Sequence, residues 1–290
     1  MRGLLPAVKH IVNESKSSYT SPFWTLTQMT GDLNHRVYHC QSTQDAQRDL
    51  MVKLFEHTDE KLAWREYSAL RTLWAVDPHL LSPAPLLLLE SYIAPELDVL
   101  ITEWLDGTTI TIGESLNKMQ WTTILHTLAE VHQITPETTR VKLPDSVMAF
   151  DQPMDFIHRL ALGLQVLRDE QVDRDLLDFV DKALSHVQQH LPQKWADDAP
   201  KTLIHGDWHL HNFVMDDETV RFFDWEMAGW GDPAMDIALL LTHESFADVN
   251  LYDQRWLVET YREIQQDETF AQRVDVDSQR LVVEWFLFQA

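Results

Sequence analysis

Cysteine is almost absent from this chain of 290 residues, because Cys40 is the single one. An internal disulfide is therefore excluded, and the amino-terminal segment lacks the long apolar stretch of a secretory signal. Both features favour the reducing cytoplasm as the compartment of the protein. Because Cys40 ends a predicted strand, we expect it to be a small buried hydrophobe and not a catalytic thiol.

Positive charge and long hydrophobic runs are also scarce. Apolar runs such as Leu86 to Leu89 fall far below the roughly 18 residues of a membrane-spanning helix, so no membrane partner is expected. Lysine and arginine total 23 against 46 aspartates and glutamates, which gives a formal net charge of −23. This balance argues against nucleic acid as the main partner. It suits a cationic small-molecule substrate, although solubility alone explains an acidic surface equally well.

The pattern of apolar residues changes character about one third of the way along the chain. Short apolar runs bounded by turn residues predict strands first, with one helix from about Asp59 to Ala75 among them. The strands are predicted over Phe23–Met29, Arg36–Cys40, Leu50–Phe55, Leu86–Tyr92 and Val99–Glu103. Beyond the turn at 105–107 helical spacing dominates, with helices predicted around Ile124–His132, over Met154–Arg168 and Asp173–His190, after Pro233 and over Leu281–Phe288.

These patterns predict an α+β fold with two lobes. A small antiparallel β-sheet lobe is expected over residues 1–103, and a larger, mainly helical lobe over residues 104–290, with a cleft between them. A homodimer is compatible with the sequence.

Polar residues cluster at the ends of short apolar runs in the central block, residues 202–224. Gly206 allows a sharp turn after Leu203-Ile204, which brings Asp207 to the end of a strand. Asn212 follows five positions later, and Asp224 ends the next strand. Carboxylate and amide oxygens are ligands that Mg²⁺ prefers, and a second carboxylate can accept a proton from an attacking hydroxyl. We therefore predict that Asp207, Asn212 and Asp224 lie around one point.

Three motifs in this half of the chain resemble those of the aminoglycoside phosphotransferase and choline kinase superfamily, relatives of the protein kinases. His205-Gly-Asp-Trp-His-Leu-His-Asn212 is similar to its catalytic loop, and Phe223-Asp-Trp-Glu226 to its metal-binding segment. Gly231-Asp-Pro233 with Asp236-Ile-Ala238 is similar to the element that follows. The resemblance implies a protein-kinase-like fold and ATP-dependent phosphoryl transfer to an alcohol. It also implies that Asp207 is the catalytic base and that Asn212 and Asp224 hold Mg²⁺.

The first hundred residues fit the same resemblance. Lys53 resembles the strand lysine that contacts the α and β phosphates, and Glu66 on the following helix is its expected ion-pair partner. Glu103 and Leu105 resemble the hinge whose backbone meets the adenine. The loop that covers the phosphates is glycine-rich in many relatives, whereas here Gly31 is its one glycine.

Two other classes of function are compatible with some of these residues. The cluster of His205, Asp207, His209 and His211 offers imidazole and carboxylate groups that suit zinc, as in a metal-dependent hydrolase. That interpretation leaves Lys53 and the later motifs unexplained. A kinase fold that binds without catalysis is the other alternative, but such a protein would usually lack a catalytic aspartate, a metal aspartate or the lysine.

The acceptor of the phosphate is less well specified. The segment Asp224-Trp-Glu-Met-Ala-Gly229 resembles choline, ethanolamine and thiamine kinases, and an aromatic ring can hold a quaternary ammonium group through a cation–π contact. Trp225, Trp230 and Trp285 are the candidate rings, with Glu226 as a counter-charge. We therefore expect a small cationic alcohol as substrate, and the alternative is an aminoglycoside.

Overall fold

The computed structural model describes residues 2–30, 35–44, 48–57, 60–77, 81–109, 116–149, 153–169, 174–190, 200–216, 219–243 and 251–289. Within these ranges, the side chains of residues 153, 154, 156, 176, 187, 190, 251, 252, 280 and 283–289 are outside the description. The predicted phosphate-loop residue Gly31 lies outside the described residues. The chain divides into two compact units. Unit 1 comprises residues 1–109, 140–143 and 213–227, and unit 2 comprises residues 110–139, 144–212 and 228–290.

Unit 1 is built on a six-stranded sheet in which every neighbouring pair is antiparallel. Its strands run in the spatial order β1-β2-β3-β4-β6-β5. The elements in chain order are α1 (Leu4–Asn13), β1 (Ser18–Thr20), β2 (Trp24–Gln28), β3 (Arg36–Ser42), β4 (Leu50–Glu56), α2 (Leu62–Val76), β5 (Pro85–Ala94) and β6 (Leu97–Glu103). The five predicted strands and the first helix are all present, whereas α1 and β1 were not predicted.

The core of unit 1 forms on one face of this sheet. Alternate residues of β3 and β4, such as Tyr38 and Val52, pack with Trp24 and with the buried side of α1. Because successive strand residues point to opposite faces, this arrangement turns Val37 and Lys53 toward the other face. The alternation therefore places the lysine away from the core that holds its neighbours.

A short three-stranded sheet completes unit 1. It consists of β7 (Thr108–Thr109), β9 (Phe213–Asp216) and β10 (Thr219–Phe222), in the order β10-β9-β7. The pairing of β7 with β9 and of β9 with β10 joins residues 213–227 to the amino-terminal part. The sequence predicted that the first lobe ends at residue 103. The backbone hydrogen bonds between β7 and β9 connect segments that lie more than 100 residues apart in the chain.

Unit 2 is mainly helical. Its helices are α3 (Lys118–Val131), α4 (Pro153–Asp169), α5 (Arg174–His190), α6 (Ala234–Thr242), α7 (Leu251–Gln265) and α8 (Phe270–Gln289). The strands β8 (Thr202–Ile204) and β11 (Gly229–Gly231) form an antiparallel pair. No helix in the described part of the chain combines the length and the apolar character that crossing a bilayer requires.

Local chemistry explains where two of these helices begin. Asn117 and Gln120 form a reciprocal capping box at the start of α3. At the start of α6, the Asp232 carboxylate accepts the N–H of Ala234 at 2.9 Å, and Pro233 precedes the first turn as predicted. Arg273 on α8 donates to the same Asp232 at 2.6 Å, which fixes this end of α6 against α8.

Gly229 provides a direct test of packing in unit 2. A Cβ atom at this position would lie 2.5 Å from the backbone nitrogen of Ser146 and 2.6 Å from the carbonyl oxygen of Pro144. We expect Gly229→Ala to lower the thermal unfolding temperature by several degrees, because backbone atoms cannot move aside as a flexible side chain can. Thermal unfolding followed by circular dichroism measures the change.

Gly163→Ala is the matched control. Gly163 lies inside α4, and an added Cβ would meet nothing within 4 Å. Because alanine favours a helix interior over glycine by about 0.5–1 kcal/mol, this variant should be as stable as the parent protein or more so. Equal stability of the two variants would contradict the close approach at Gly229.

Candidate active site

A buried lysine surrounded by carboxylates lies in unit 1. The ammonium group of Lys53 on β4 is 3.2 Å from Glu66 Oε2 on α2 and 2.6 Å from Glu226 Oε2, and it also contacts Asp224 Oδ1. The Lys53 side chain is 3% exposed. We call these four residues the Lys53 cluster. It contains the predicted Lys53–Glu66 ion pair and adds two carboxylates from the segment after β10.

The Lys53 cluster holds one positive charge against three carboxyl groups. Burial alone would favour the neutral amine, but Asp224, Glu66 and Glu226 outweigh it and hold the pKa of Lys53 well above its usual range. Burial and the two neighbouring carboxylates raise the pKa of Glu66 to about 7, although Lys53 opposes this. An additional cation in the cluster would therefore remove an electrostatic cost.

His35 extends the Lys53 cluster on the side of Glu226. Its Nε2 atom is 2.8 Å from Glu226 Oε2. Burial opposes ionisation of Glu226, but His35 and Lys53 outweigh it and lower its pKa to about 2. Glu226 was predicted as a counter-charge for substrate. In the structure its carboxylate contacts Lys53 and His35, both in unit 1. No sequence pattern pointed to His35, which directly follows the Gly31 turn.

The backbone at Asp224 adopts an unusual conformation. Its φ angle is +66°, in the left-handed region that non-glycine residues rarely occupy. Such strain costs on the order of 1–3 kcal/mol and persists where surrounding contacts fix the geometry. Here the contact with Lys53 holds the carboxylate in the cluster.

The donor set of the Lys53 cluster fits a hard divalent cation. Carboxylate oxygens of Glu66, Asp224 and Glu226 all lie within 4.8 Å of one another. Among the residues that the structure describes, this is the one group of three or more acidic, histidine or cysteine side chains with such spacing. Oxygen-only donors match Mg²⁺ rather than zinc.

The proposed zinc cluster does not form among the described residues. His205 Nδ1 instead accepts the N–H of Asp207 at 3.3 Å, and His209 Nδ1 accepts the N–H of His211 at 3.2 Å. These ring nitrogens are used to shape the loop, so they are not free to bind a metal. The hydrolase alternative therefore loses its structural basis.

The predicted hinge residues lie at the end of β6. The N–H groups of Glu103 and Trp104 donate to the carbonyl oxygens of Ala84 and Asp49. Within the described part of the chain, no hydrogen bond engages the backbone of Leu105. A cavity of about 430 Å³ adjoins this segment, lined by Arg48, Asp49, Glu103, Trp104, Asp106 and Arg221. The adenine contact of Glu103 and Leu105 remains a prediction.

The segment predicted as the catalytic loop, residues 205–212, lies in unit 2 directly after β8, and we keep that name for it. Gly206 has a φ angle of +79°, so a glycine is needed for the turn that the sequence predicted. The amide nitrogen of Asn212 donates to the carbonyl oxygen of Asp207 at 2.9 Å and to its carboxylate at 3.2 Å. These two bonds orient the Asp207 carboxylate and leave the Asn212 amide oxygen as the remaining ligand atom of that side chain.

Asp207 is held in its ionised form. Burial favours the neutral acid, but His209, His205 and Asn212 outweigh it and lower the pKa of Asp207. The Nε2 atom of His209 is 3.7 Å from the Asp207 carboxylate. Asp207 and Asn212 thus come together in unit 2, whereas Asp224 belongs to unit 1. Their convergence on one point remains a prediction.

Sequence patterns predicted no role for the residue that anchors the catalytic loop. Asp236 in the first turn of α6 is fully buried and accepts the N–H groups of His205 at 2.8 Å and Gly206 at 2.9 Å. Asp236 belongs to the Asp236-Ile-Ala238 motif, but its contact partners lie 30 and 31 residues away in the chain. The spacing of a local motif carries no information about such contacts.

Two of the three tryptophans predicted to contact substrate are buried. Trp225 is fully buried in unit 1, and its indole N–H donates to the carbonyl oxygen of Phe222 at 3.0 Å. Trp230 is 6% exposed in β11 of unit 2, where its backbone pairs with Leu203. Both rings therefore pack in the interior, and their contact with substrate remains a prediction. Trp285 lies in the part of α8 whose side chains are outside the described residues.

Comparisons with known proteins agree with these motifs. The sequence profile of the phosphotransferase enzyme family, abbreviated APH, matches residues 25–271. No curated protein matches the chain by sequence.

Solved structures with the same fold share little sequence with this chain. Choline kinase from Cryptosporidium parvum Iowa II superposes with a TM-score of 0.68 at 13% identity, covering 98% of this chain and 88% of that one. Spectinomycin phosphotransferase in complex with ADP and spectinomycin gives 0.66 at 12% identity, covering 97% and 86%. Amicoumacin kinase in complex with AMP-PNP and Ca²⁺ gives 0.63 at 13% identity, covering 99% and 89%. The predicted α+β, kinase-like fold is confirmed.

The raised pKa of Glu66 predicts a specific dependence of stability on pH. Because its folded pKa is about 7 against an ordinary value of 4.5, the folded state binds more protons than the unfolded state between these values. The contribution of Glu66 to stability should therefore fall as pH rises from 5.5 to 8. We expect Glu66→Gln to flatten this decline, measured as the unfolding temperature in a chelator-containing buffer.

Glu130→Gln supplies the matched control for this measurement. Glu130 is an exposed residue on α3, and its replacement should leave the slope of the parent protein unchanged. Parallel profiles for the parent protein and Glu66→Gln would show that Glu66 does not take up a proton in the folded state.

Proposed function

The chain belongs to the phosphotransferase enzyme family, and we propose that it is an ATP- and Mg²⁺-dependent kinase that phosphorylates a hydroxyl group of a small cationic alcohol. Choline, ethanolamine and thiamine represent this class of acceptor. The observation that carries the proposal is the Lys53 cluster, in which one buried ammonium group faces three carboxylates.

The nucleotide side of the reaction is assigned to unit 1. Lys53 offers a positive charge to the α and β phosphates, and Glu66 fixes the direction of its side chain through the 3.2 Å ion pair. Glu103 and Leu105 are proposed to meet the adenine through their backbone. The structures of spectinomycin phosphotransferase with ADP and amicoumacin kinase with AMP-PNP support nucleotide use within this fold.

The metal is assigned to acidic and amide oxygens. Asp224 is the proposed ligand in unit 1, and the 4.8 Å grouping with Glu66 and Glu226 makes Glu226 a further candidate. Asn212 in unit 2 offers its amide oxygen. Mg²⁺, when bound, supplies positive charge that offsets the charge of the phosphates.

The acceptor side is assigned to the catalytic loop. Asp207 is ionised at neutral pH because its pKa is lowered, so it can accept the proton of an acceptor hydroxyl. The two hydrogen bonds from Asn212 keep its carboxylate in one orientation. Phosphoryl transfer requires positioning of the nucleophile and electrostatic stabilisation more than covalent participation by the protein.

The cationic nature of the acceptor rests on charge. With 46 acidic against 23 basic residues, the protein attracts a cation over long range. The Asp224-Trp-Glu226 segment resembles choline, ethanolamine and thiamine kinases, and a choline kinase is among the structures of similar fold. An aminoglycoside is the second candidate, since polycationic sugars suit the same charge and spectinomycin phosphotransferase has the same fold.

Two substitutions separate the roles of the aspartates. Asp207→Asn should lower kcat by about 10²–10⁴-fold with ATP affinity unchanged, because a general base acts on the acceptor. Asp224→Ala should lower turnover and also weaken Mg²⁺-dependent ATP binding, because a metal ligand is lost. Steady-state kinetics by coupled ADP release and calorimetric ATP titration, with and without Mg²⁺, measure both effects.

Asp216→Asn serves as the control because Asp216 lies exposed at the end of β9. It should keep the kcat and the ATP affinity of the parent protein. An Asp207→Asn variant that retained half of the parental kcat would exclude Asp207 as the base.

A panel of acceptors tests the substrate class. Choline, ethanolamine, thiamine, several aminoglycosides and neutral amino-alcohol or sugar analogues are compared by kcat/KM in the ADP-release assay. We expect turnover with one of the first three and a fall in kcat/KM with rising salt, because screening weakens long-range attraction. Turnover with aminoglycosides alone would replace the preferred acceptor class by the second candidate.

A further inference from the structure

Helix α7 contributes one polar side chain to the interior of unit 2. Tyr261 is fully buried, and its hydroxyl contacts Nδ1 of His132, the residue that follows α3. Gln265, one turn further along α7, donates its amide N–H to the Tyr261 oxygen at 2.9 Å. His132 Nε2 lies 3.0 Å from Asp236 Oδ2. A continuous line of polar contacts therefore joins α7 to the residue that anchors the catalytic loop.

Hydrogen-bond chemistry sets the direction of each bond in this line for a neutral His132. The Asp236 carboxylate accepts, and it already receives the N–H groups of His205 and Gly206. His132 therefore donates to it from Nε2, and the neutral imidazole keeps a lone pair on Nδ1. The Tyr261 hydroxyl is the group that donates to this lone pair. Burial, followed by the nearby Asp236, holds the pKa of Tyr261 well above its usual range, so the hydroxyl keeps its proton.

Because these residues are buried, the loss of any one of their hydrogen bonds is costly. Tyr261, Asp236 and His205 are 0% exposed, and His132 is 3% exposed. A buried polar group without a partner is costly because water cannot replace the lost bond. If Nδ1 of His132 lost its donor, its buried lone pair would have no partner, and the ring would no longer be held in one orientation against Asp236. The bonds from Asp236 to the loop backbone would be disturbed in turn.

We propose that Tyr261 is a positioning residue for phosphoryl transfer: its hydroxyl bonds Nδ1 of His132 and fixes the orientation of the ring, and His132 and Asp236 in turn fix the backbone that carries Asp207. This inference rests on the proposed role of Asp207 as the base. Tyr261 lies 129 residues after His132 in the chain. The inference therefore gives α7 a part in setting the geometry of the catalytic loop.

Tyr261→Phe tests the inference because it keeps the ring and removes the donor. We expect kcat to fall about tenfold, in line with the loss of one buried hydrogen bond, while KM for ATP and for the acceptor stays within about twofold of the parental value. The ¹⁵N signal of His132 Nδ1, read by NMR of histidine-labelled protein, should shift because this nitrogen loses its hydrogen bond.

Two further variants separate positioning from packing. Phe270→Leu disturbs the ring that lies 4.8 Å from the Tyr261 ring but leaves the hydrogen bonds intact. It should lower the unfolding temperature and leave kcat and the ¹⁵N signal of His132 Nδ1 unchanged. His132→Leu removes both the donor to Asp236 and the acceptor for Tyr261. Adding Tyr261→Phe to it should lower kcat no further, because both changes break the same bond.

The outcomes distinguish this inference from the proposed function. An unchanged kcat and an unchanged ¹⁵N signal of His132 Nδ1 in Tyr261→Phe, or an equal loss of kcat in Phe270→Leu, would overturn the positioning role. Asp207→Asn is assayed in parallel. Full turnover in Asp207→Asn overturns the role of the base itself, whereas an inactive Asp207→Asn beside an unaffected Tyr261→Phe overturns the role of Tyr261 alone.

Discussion

The contact between the Lys53 ammonium group and three carboxylates is the interaction on which the arrangement of the proposed nucleotide and metal residues depends. It joins a central strand, helix α2 and the segment after β10, and it is almost fully buried. A buried group of this kind is weak evidence for stability, because removing four charged groups from water costs several kcal/mol per ion. The excess of negative charge and the positive φ of Asp224 are features that the proposed role of the cluster in binding Mg²⁺ would explain.

The catalytic loop in unit 2 is held by a network of hydrogen bonds and not by a cluster of charges. Its key group, Asp207, remains partly exposed, and the groups that hold it are buried behind it. Asp236 satisfies two backbone N–H groups of the loop and is itself oriented by His132 and Tyr261. With a neutral His132, every donor in this network has an acceptor. A fully satisfied polar network of this kind rigidifies its surroundings, and a partly satisfied one does not.

Similarity of fold at 12–13% identity is consistent with this division of labour. Core positions of the sheet need only apolar residues of suitable size, so they can diverge while the packing persists. Groups that handle phosphate and protons need defined chemistry, so they carry the sequence resemblance. Substrate choice depends on neither, and for that reason the fold admits kinases of choline and of antibiotics.

The sequence by itself determined the α+β class, the five predicted strands, and the residue types of the motifs that resemble the family. Those features follow from local periodicity and from chemistry that a few neighbouring residues share. Only the tertiary structure showed that Glu226 joins the Lys53 cluster, that Trp225 and Trp230 are packed inside, and that Tyr261 reaches the catalytic loop through His132 and Asp236. The physical reason is that side-chain contacts across more than 100 residues depend on how whole elements pack, and no local pattern encodes that packing.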